Sequence, residues 1–460
     1  MPDDAMPTEM SDESPAPVRP AWEREGTVYV LGIDGLSPDI IRSMVERGEL
    51  PQFRQLAAEG CHGPQRTISP TNSSLLWTSI ATGCHHRDHG IDGFEYYDLF
   101  GRHVSRSFIR RAKKFGLRRL IKLFDRLDWL RSHFFDGRHV QARTIWDIVS
   151  ESGDPVGVVN WWHTWPADPV NGFVISDRVH YWRAAAKGDI EPGSRQLTFP
   201  EEVLGQIREL VIPPDQVPDE RLRRFLNVSD EEFEEFRQAE FRHHDLHGEL
   251  CFVLSADLTY LRALEHCLDR FEAPKLVAAL FRSPDVTQHA ACKFMPGARG
   301  DATAEERRKY GNVVPEAYRF ADELVRRVRQ RMGEKDTLFV VSDHGFRYQE
   351  KRGKYGHARG EPPGVFYALG PEFQSGVPVE EASIYDLAPT VLRICGFPVD
   401  ERMPGRPLEE LLTDEFRSAH PRPDDIDSYG PRRRRHDTPE ESERVNKEVE
   451  DHLRALGYLE

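Results

Sequence analysis

The segment TVYVLGIDG, residues 27–35, predicts a buried β-strand that ends at a carboxylate. Its first seven residues form a continuous run rich in β-branched side chains, which is typical of a strand covered on both faces. Asp34 and Gly35 follow at once. The next residues, Ser37-Pro38-Asp39, predict the start of a helix that extends to about Gly48, because proline suits the first helical position. The segment therefore predicts a strand–turn–helix unit.

The same alternation of strands and helices continues along the chain. A fold of this kind places helices on both sides of a largely parallel sheet, so we expect an α/β protein, a three-layer α/β/α sandwich around a mostly parallel central sheet, with helical insertions. The further predicted strands are Val156–Val159, Phe173–Ser176, Leu276–Phe281 and Thr337–Ser342. The further predicted helices are Pro51–Gly60, Ser74–Thr82, Thr144–Ser152 and Pro315–Met332.

The composition excludes several classes of protein. The 460 residues carry 62 Lys and Arg against 77 Asp and Glu, a net charge of −15 that argues against nucleic acid as the main partner. No stretch approaches the ~20 apolar residues of a membrane-spanning helix, and the acidic start lacks the features of a secretory signal. The six cysteines contain no C-x-x-C pair, which suits a reducing compartment, so we expect a cytoplasmic location.

The chain divides by composition into core segments and insertions. Residues 97–142 contain nine Lys and Arg between Arg106 and Arg126 against one acid, with apolar residues at helical spacing, and predict a basic amphipathic helix. The predicted segments are a disordered acidic tail (1–26), a first segment of the catalytic core (27–96), the basic helical insertion (97–142), a second core segment (143–183), a helical insertion or cap (184–268), a third core segment (269–412), and a polar linker with a C-terminal helix (413–460).

Acids and histidines follow several of the predicted strands. Ligands bind at the carboxyl ends of strands in such sheets, and carboxylate oxygens and imidazole nitrogens suit Zn²⁺ or a similar divalent ion. Each residue alone could be a surface side chain or a helix cap, but their occurrence after three separate strands predicts a metal site. The candidates are Asp34, Asp285, His289, Asp343, His344 and His357.

Ser73 is the candidate nucleophile. The segment Pro70–Ser74 precedes a predicted helix, and a hydroxyl at a helix N-terminus lies in a positive potential that favours an anionic oxygen and an incoming phosphate. The alternative is that Ser73 or Ser74 only caps the helix.

In this order, the motifs resemble the alkaline phosphatase superfamily, and most closely its type I phosphodiesterase/nucleotide pyrophosphatase branch, in the form found in bacteria. The resemblance spans roughly Thr27–Leu412, less the two insertions. The matching motifs are Gly32-Ile33-Asp34-Gly35, Pro70-Thr71-Asn72-Ser73 with Trp77–Gly83, Asp285-Val286-Thr287-Gln288-His289, Ser342-Asp343-His344-Gly345, His357 ahead of Gly364-Val365-Phe366, Asp386–Leu392, and Pro404–Leu408.

The resemblance implies a metal-dependent phosphodiesterase with two divalent ions, Zn²⁺ or alternatively Mn²⁺. Asp285, His289 and His357 would hold one ion, and Asp34, Asp343 and His344 the other. Ser73 would contact the second ion as the nucleophile and form a phosphoserine intermediate. Asn72 and Trp77 are the predicted substrate contacts. Leu76 stands where the eukaryotic nucleotide pyrophosphatases have an Asn, so the resemblance does not extend to nucleotide recognition.

Two questions stay open at this level. The enzyme could instead be a phosphomonoesterase or phosphonate hydrolase on the same core, and a binding protein that has lost catalysis is the rival outside the enzymes. The expected partner is a small-molecule phosphate ester. The basic segment at Arg106–Arg126 could be a solvated lid, a patch that attracts anionic substrate, or a helix that contacts a membrane surface.

Overall fold

The computed structural model describes residues 17–100, 102–104, 106–127, 129–181, 196–243, 245–357, 360–432 and 443–455. The strands are β1 (Val28–Ile33), β2 (Cys61–Arg66), β3 (Glu95–Leu99), β4 (Arg102–Val104), β5 (Leu130–Phe134), β6 (Val156–Val159), β7 (Gly172–Ile175), β8 (Thr198–Phe199), β9 (Leu276–Phe281), β10 (Thr337–Val341), β11 (Arg347–Gln349), β12 (Lys354–Gly356), β13 (Gly364–Leu369), β14 (Val377–Pro378) and β15 (Ala382–Ser383).

The α-helices alternate with these strands. They are α1 (Pro38–Glu46), α2 (Pro51–Glu59), α3 (Ser73–Thr82), α4 (His86–His89), α5 (Arg106–Lys114), α6 (Arg118–Arg126), α7 (Ile145–Glu151), α8 (Glu202–Ile207), α9 (Asp219–Phe225), α10 (Asp230–Gln238), α11 (Leu246–Leu268), α12 (Ser283–Ala291), α13 (Ala304–Tyr310), α14 (Val313–Arg329), α15 (Leu387–Ile394), α16 (Asp414–Ala419) and α17 (Glu443–Ala455). None of these described helices combines the length and the apolar composition needed to cross a bilayer.

The central sheet has the strand order β14-β2-β13-β10-β1-β9-β6-β7-β8, and β15 also pairs with β2. Its middle is parallel: β1 lies between β10 and β9, with Val30 opposite Phe339 on one side and Ala278 on the other. Strand β13 runs antiparallel to both β10 and β2. The predicted α/β class with a mostly parallel sheet is confirmed.

Helices cover the sheet on both faces. Every residue of β1, β9 and β10 is buried, as the continuous apolar runs predicted. One group of helices, α2, α14, α12 and α11, packs in series, and a second group contains α3, α7 and α15. This arrangement brings the carboxyl ends of β1, β9 and β10 to one edge of the sheet, with α3 and α12 beginning beside them.

The basic insertion differs from the single helix that its composition predicts. It forms two helices, α5 and α6, on a small antiparallel sheet in the order β4-β3-β5, which the sequence pattern did not predict. The helices are separated at Phe115–Leu117, where Gly116 has a φ of +88° that side-chain-bearing residues rarely adopt. The glycine therefore turns a continuous amphipathic pattern into a hairpin.

The second predicted insertion is only partly separate from the core. Helix α11 has 23 residues and is buried along most of its length, so residues 246–268 belong to a core layer and not to a cap. Seventeen of its 23 residues are buried, as expected of a helix enclosed by other elements. Residues 182–195 of this segment lie outside the described residues.

The described segments towards each end of the chain contact the core. Residues 17–26, expected to be disordered, pack on it: the buried Arg24 side chain donates hydrogen bonds to Glu372 and Thr337, because a buried guanidinium requires acceptors. At the other end, Arg432 pairs with Asp147 and Asp168, each at 2.9 Å, so the described start of the predicted polar linker is anchored. The predicted C-terminal helix is α17. Residues 1–16, 433–442 and 456–460 lie outside the described residues, and the other domain boundaries stay predictions.

Candidate metal centre and nucleophile

The seven candidate residues are brought together at the carboxyl edge of the sheet. Asp34 follows β1 directly, and Asp343 and His344 follow β10. Asp285 and His289 lie one turn apart on α12, which begins after β9, and Ser73 is the first residue of α3. His357 comes directly after β12. Six of the seven residues are buried, and the side chain of the seventh, His289, is 22 % exposed.

Ser73 lies beside the first group, Asp34, Asp343 and His344. The Ser73 hydroxyl donates to Asp34 over 3.4 Å and lies 3.2 Å from Nε2 of His344. That same nitrogen is 3.5 Å from an oxygen of Asp34 and 3.5 Å from an oxygen of Asp343. Because these three ligand atoms converge on one point, a single ion can be shared by them.

The second group consists of Asp285, His289 and His357. Nε2 of His289 is 3.1 Å from Nε2 of His357 and 3.5 Å from Asp285, and Nε2 of His357 is 4.0 Å from Asp285. The two groups adjoin, since the rings of His344 and His357 stack 3.8 Å apart and His344 also converges with Asp285 and His357. The predicted division of ligands between two ions therefore stays a prediction at His344.

The electrostatics of the cluster favour a bound cation. Burial, reinforced by the Asp285 carboxylate, raises the pKa of Asp34 to about 8. Burial and the neighbouring Asp34 raise the pKa of Asp343 well above its usual range. Burial lowers the pKa of His344 to about 3, and burial with the nearby Lys354 does the same for His289. Carboxylates crowded together in a low dielectric among uncharged imidazoles are stabilised by a positive ion at their centre.

The donor set fits two divalent metal ions. Three carboxylates and three imidazoles give oxygen and nitrogen ligands of the kind that Zn²⁺ takes, and Mn²⁺ accepts them as well. Nδ1 of His344 donates to the carbonyl oxygen of Gly345 over 3.1 Å, which leaves Nε2 with its lone pair directed at Asp34 and Asp343. The residues therefore match the group that the sequence resemblance implies.

Trp77 is not a substrate contact in this structure, contrary to the sequence prediction. Its side chain is completely buried, packs edge-on against Trp161, and donates from Nε1 to Asp34 over 3.0 Å. It therefore orients a candidate metal ligand. Asn72 caps α3, its side chain accepting a hydrogen bond from the backbone N–H of Leu75 over 3.4 Å, and its role in substrate binding stays a prediction.

A cavity of about 640 Å³ lies beside His289 and contains cations that sequence reasoning missed. Lys293, Arg299 and Lys354 line it, together with acidic residues such as Asp245 and Asp301. No local pattern could have identified these three cations, because Lys293 and Arg299 follow α12 whereas Lys354 begins β12, and only the tertiary fold brings these segments together. They give the cavity groups that can contact an anionic ligand.

Solved structures of ectonucleotide pyrophosphatase/phosphodiesterase 5 are similar to this chain at low identity. The human protein is 11% identical, with 84% of this chain and 100% of that chain covered and a TM-score of 0.47. The murine protein in an inactive form, in complex with AMP, is 13% identical, with 85% and 100% covered and a TM-score of 0.45. No curated protein matches the chain in sequence.

The family assignment depends on the sequence model of the type I phosphodiesterases/nucleotide pyrophosphatases. It matches residues 28–354, from the first residue of β1 to the first residue of β12, and this span contains six of the seven candidate residues. Members of the family are hydrolases that act on phosphate ester bonds. The chain therefore belongs to the type I phosphodiesterase/nucleotide pyrophosphatase family.

Proposed function

We propose that the protein hydrolyses phosphodiesters, with Ser73 as the nucleophile at a site for two divalent metal ions. The observation that carries the proposal is the position of Ser73. Its hydroxyl lies within 3.4 Å of both Asp34 and His344, at the N-terminus of a helix and beside a converging set of carboxylates and imidazoles. Its partners in the cluster distinguish it from a serine that only caps a helix, because the cap here is Asn72.

Asp285, His289 and His357 would hold one ion, and Asp34, Asp343 and His344 the other, with Ser73 adjoining the second. Zn²⁺ is the proposed metal, and Mn²⁺ is the alternative. When bound, two such ions supply charge that offsets the repulsion between an anionic ester and an anionic nucleophile and stabilises the attacking and leaving oxygens.

The chain's own residues define the reaction path. The Ser73 hydroxyl passes its proton to solvent and its oxygen attacks phosphorus, while the bond from phosphorus to the leaving-group oxygen breaks and the departing group takes up a proton from solvent. The resulting phosphoserine keeps one ester group when the substrate is a diester. Water then attacks phosphorus from the vacated side and breaks the bond to Ser73, so the phosphorus centre keeps its configuration after two inversions. The N-terminus of α3 directs its N–H groups and positive potential at the phosphoryl oxygens.

The cavity beside His289 supports a diester over a monoester. It reaches the metal cluster at His289, and Lys293, Arg299 and Lys354 can contact negative charge on a second substituent of the phosphorus that enters it. The substrate class that this favours is a small-molecule diester with an anionic group on the moiety that enters the cavity.

Hydrolysis of bis-p-nitrophenyl phosphate and p-nitrophenyl phosphate by metal-stripped protein tests the proposal. We expect Zn²⁺ or Mn²⁺ to restore activity, the diester to be cleaved faster, and Ser73→Ala to remove activity. Ser74→Ala is the matched control, since Ser74 donates to the carbonyl oxygen of Gly93 over 2.6 Å and lies outside the candidate metal groups. Full activity of Ser73→Ala contradicts the proposed nucleophile, and faster cleavage of the monoester contradicts the diester preference.

We also propose that the protein works in the cytoplasm. All six cysteines are buried and unlinked by disulfides, which suits a reducing compartment. Alkylation of protein taken directly from cells under denaturing, non-reducing conditions should modify six thiols per chain, and recovery of disulfide-linked pairs would contradict this location.

A further inference from the structure

The hairpin of α5 and α6 exposes an exceptional amount of apolar surface. We call residues 106–127 the basic hairpin. Among the described residues, eight of the nine large apolar side chains that are exposed lie in or directly beside it, and Phe115, at its turn, is 82 % exposed. The eight are Phe100, Phe108, Phe115, Leu117, Leu120, Leu123, Leu127 and Trp129.

On α6 and at its end the exposed apolar residues share one side. Leu120, Leu123 and Leu127 are three and four residues apart, which places them on one face of the helix, and each is more than 40 % exposed. In α14, another amphipathic helix, the corresponding stripe is buried in the core. An exposed stripe of this kind marks a surface that another body covers.

Charge indicates what covers it. Between Arg106 and Arg126 nine Lys and Arg stand against one acid, although the whole chain has a net charge of −15. Exposed cations on α6, Arg118, Lys122 and Arg126 among them, recur every four residues on the face across from the leucine stripe, and the exposed Arg119 lies at the margin of the stripe. A lipid surface with anionic headgroups and acyl chains beneath them matches both features together.

We propose that the basic hairpin docks the protein on an anionic lipid bilayer. The Phe115–Leu117 turn and the leucine face of α6 enter the boundary between headgroups and acyl chains, and the arginines and lysines contact the headgroups. The hairpin then lies on the membrane without crossing it.

Sedimentation of the full-length protein with vesicles tests this proposal. We expect binding to vesicles of phosphatidylcholine mixed with phosphatidylserine, weak binding to phosphatidylcholine alone, and loss of binding at high salt. Arg119→Glu should weaken binding several-fold, with Arg54→Glu on α2 as the exposed control. Phe115→Ser with Leu117→Ser should weaken it about tenfold or more, and Phe241→Ser, outside the hairpin, should leave it unchanged.

Two outcomes would overturn the proposal. Equal, salt-independent sedimentation with neutral and anionic vesicles would exclude recognition of anionic lipid. A concentration-dependent dimer in light scattering that Phe115→Ser abolishes, without vesicle binding, would show that a second copy of the chain covers the hairpin.

A separate cluster of buried ligands stands apart from the catalytic candidates. His243, Glu249 on α11 and His452 on α17 come from three segments and are all buried. An oxygen of Glu249 is 3.8 Å from Nδ1 of His243, and its other oxygen is 3.6 Å from Nδ1 of His452. These separations are close to the 3.5 Å between His344 and its carboxylates in the candidate metal centre.

The polar atoms of Glu249 and His452 favour a bound ion. Both carboxylate oxygens of Glu249 and both ring nitrogens of His452 are buried without a hydrogen-bond partner among the residues that the structure describes. Leaving such atoms unsatisfied is costly, so native structures rarely do it. Burial, reinforced by the Asp245 carboxylate, raises the pKa of Glu249 to about 9, and the Arg282 guanidinium opposes this to a smaller extent.

The geometry points to a further divalent metal site at His243, Glu249 and His452. Two imidazoles and one carboxylate form a ligand set that Zn²⁺ takes with a fourth position open. His243 and Glu249 also line the 640 Å³ cavity beside His289, so that open position can face the cavity. The ion would fasten α17 to α11.

Metal analysis of the purified holoprotein tests this site without using activity. We expect Glu249→Gln and His452→Phe each to contain one equivalent of zinc less than the wild type, while His266→Asn, elsewhere on α11, keeps the full content. An unchanged zinc content in correctly folded Glu249→Gln overturns the proposal and leaves water as the ligand.

Anomalous scattering at the zinc edge from wild-type crystals gives a result that does not depend on how the variants fold. A peak between the three side chains supports the site. No peak there, when the catalytic cluster shows zinc, overturns it.

Discussion

Replacing Trp77 by Phe should weaken metal binding at the cluster without touching a ligand. The indole Nε1 donates to Asp34 over 3.0 Å in a fully buried setting, and Phe keeps the ring but removes this donor. A hydrogen bond to a charged group contributes about 1.5–3 kcal/mol. Since about 1.4 kcal/mol is tenfold in an equilibrium constant, affinity should fall about 10- to 100-fold, the range found for partners that orient metal ligands.

The control is Trp161→Phe. Trp161 is equally buried and also donates from Nε1 over 3.0 Å, but its acceptor is the backbone carbonyl of Trp77 and not a ligand. Competition of each variant with a chromophoric zinc chelator measures the affinity, and urea unfolding measures stability. Both variants should lose stability, but only Trp77→Phe should lose affinity. Equal affinities for the two variants would refute the reasoning.

Three other predictions concern buried polar groups and tight turns. Gly35→Ala should destabilise the protein and lower its metal content, because Gly35 has a φ of +78° and a Cβ would lie 2.7 Å from Cα of Asp285. The control Gly48→Ala, with a φ of +76° but open space around the Cβ, should cost only the backbone strain of about 1–2 kcal/mol. Thermal unfolding and metal analysis compare the two variants. Asp257→Asn should lower the free energy of unfolding in urea by about 1–3 kcal/mol, because the buried Asp257 carboxylate accepts hydrogen bonds from the backbone N–H groups of Arg282 and Ser283 at the start of α12. The control Asp230→Asn, at an exposed carboxylate, should lower it much less. Burial lowers the pKa of His89 to about 3, so between pH 6.5 and 3 the unfolded chain binds a proton at this histidine that the folded chain does not bind. The free energy of unfolding should therefore fall as the pH drops from about 6.5 towards 3. His89→Gln should reduce the slope of unfolding free energy against pH by up to one proton, and an unchanged slope would contradict the assignment.

The features of the fold that depend on local pattern could be predicted from sequence. Strands Val156–Val159 and Leu276–Phe281 occur at the predicted bounds, because their apolar runs are short and end at turns. The carboxylates after β1, β9 and β10 were expected to meet because parallel strands end at a common edge. The four-residue spacing of Asp285 and His289 also places both on one helix face.

The remaining features depend on contacts between distant segments. Trp77 was expected to face substrate, but its ring packs where Gly32 leaves space for it, with a Cβ there only 2.7 Å from the ring. The cations of the cavity come from the segment after α12 and from β12, which only the tertiary fold brings together. Helix α11 did carry a signal, since eleven of the fifteen residues of 250–264 are apolar, as in an enclosed helix and not in a cap.

The central claim is that Ser73 is the nucleophile, and trapping the intermediate tests it most directly. Acid quenching during turnover of bis-p-nitrophenyl phosphate, followed by peptide mass spectrometry, should find a p-nitrophenyl phosphoryl group on Ser73. The adduct should be absent from Ser73→Ala and present in Ser74→Ala. An adduct on any other residue, or rapid turnover by Ser73→Ala, would contradict the account.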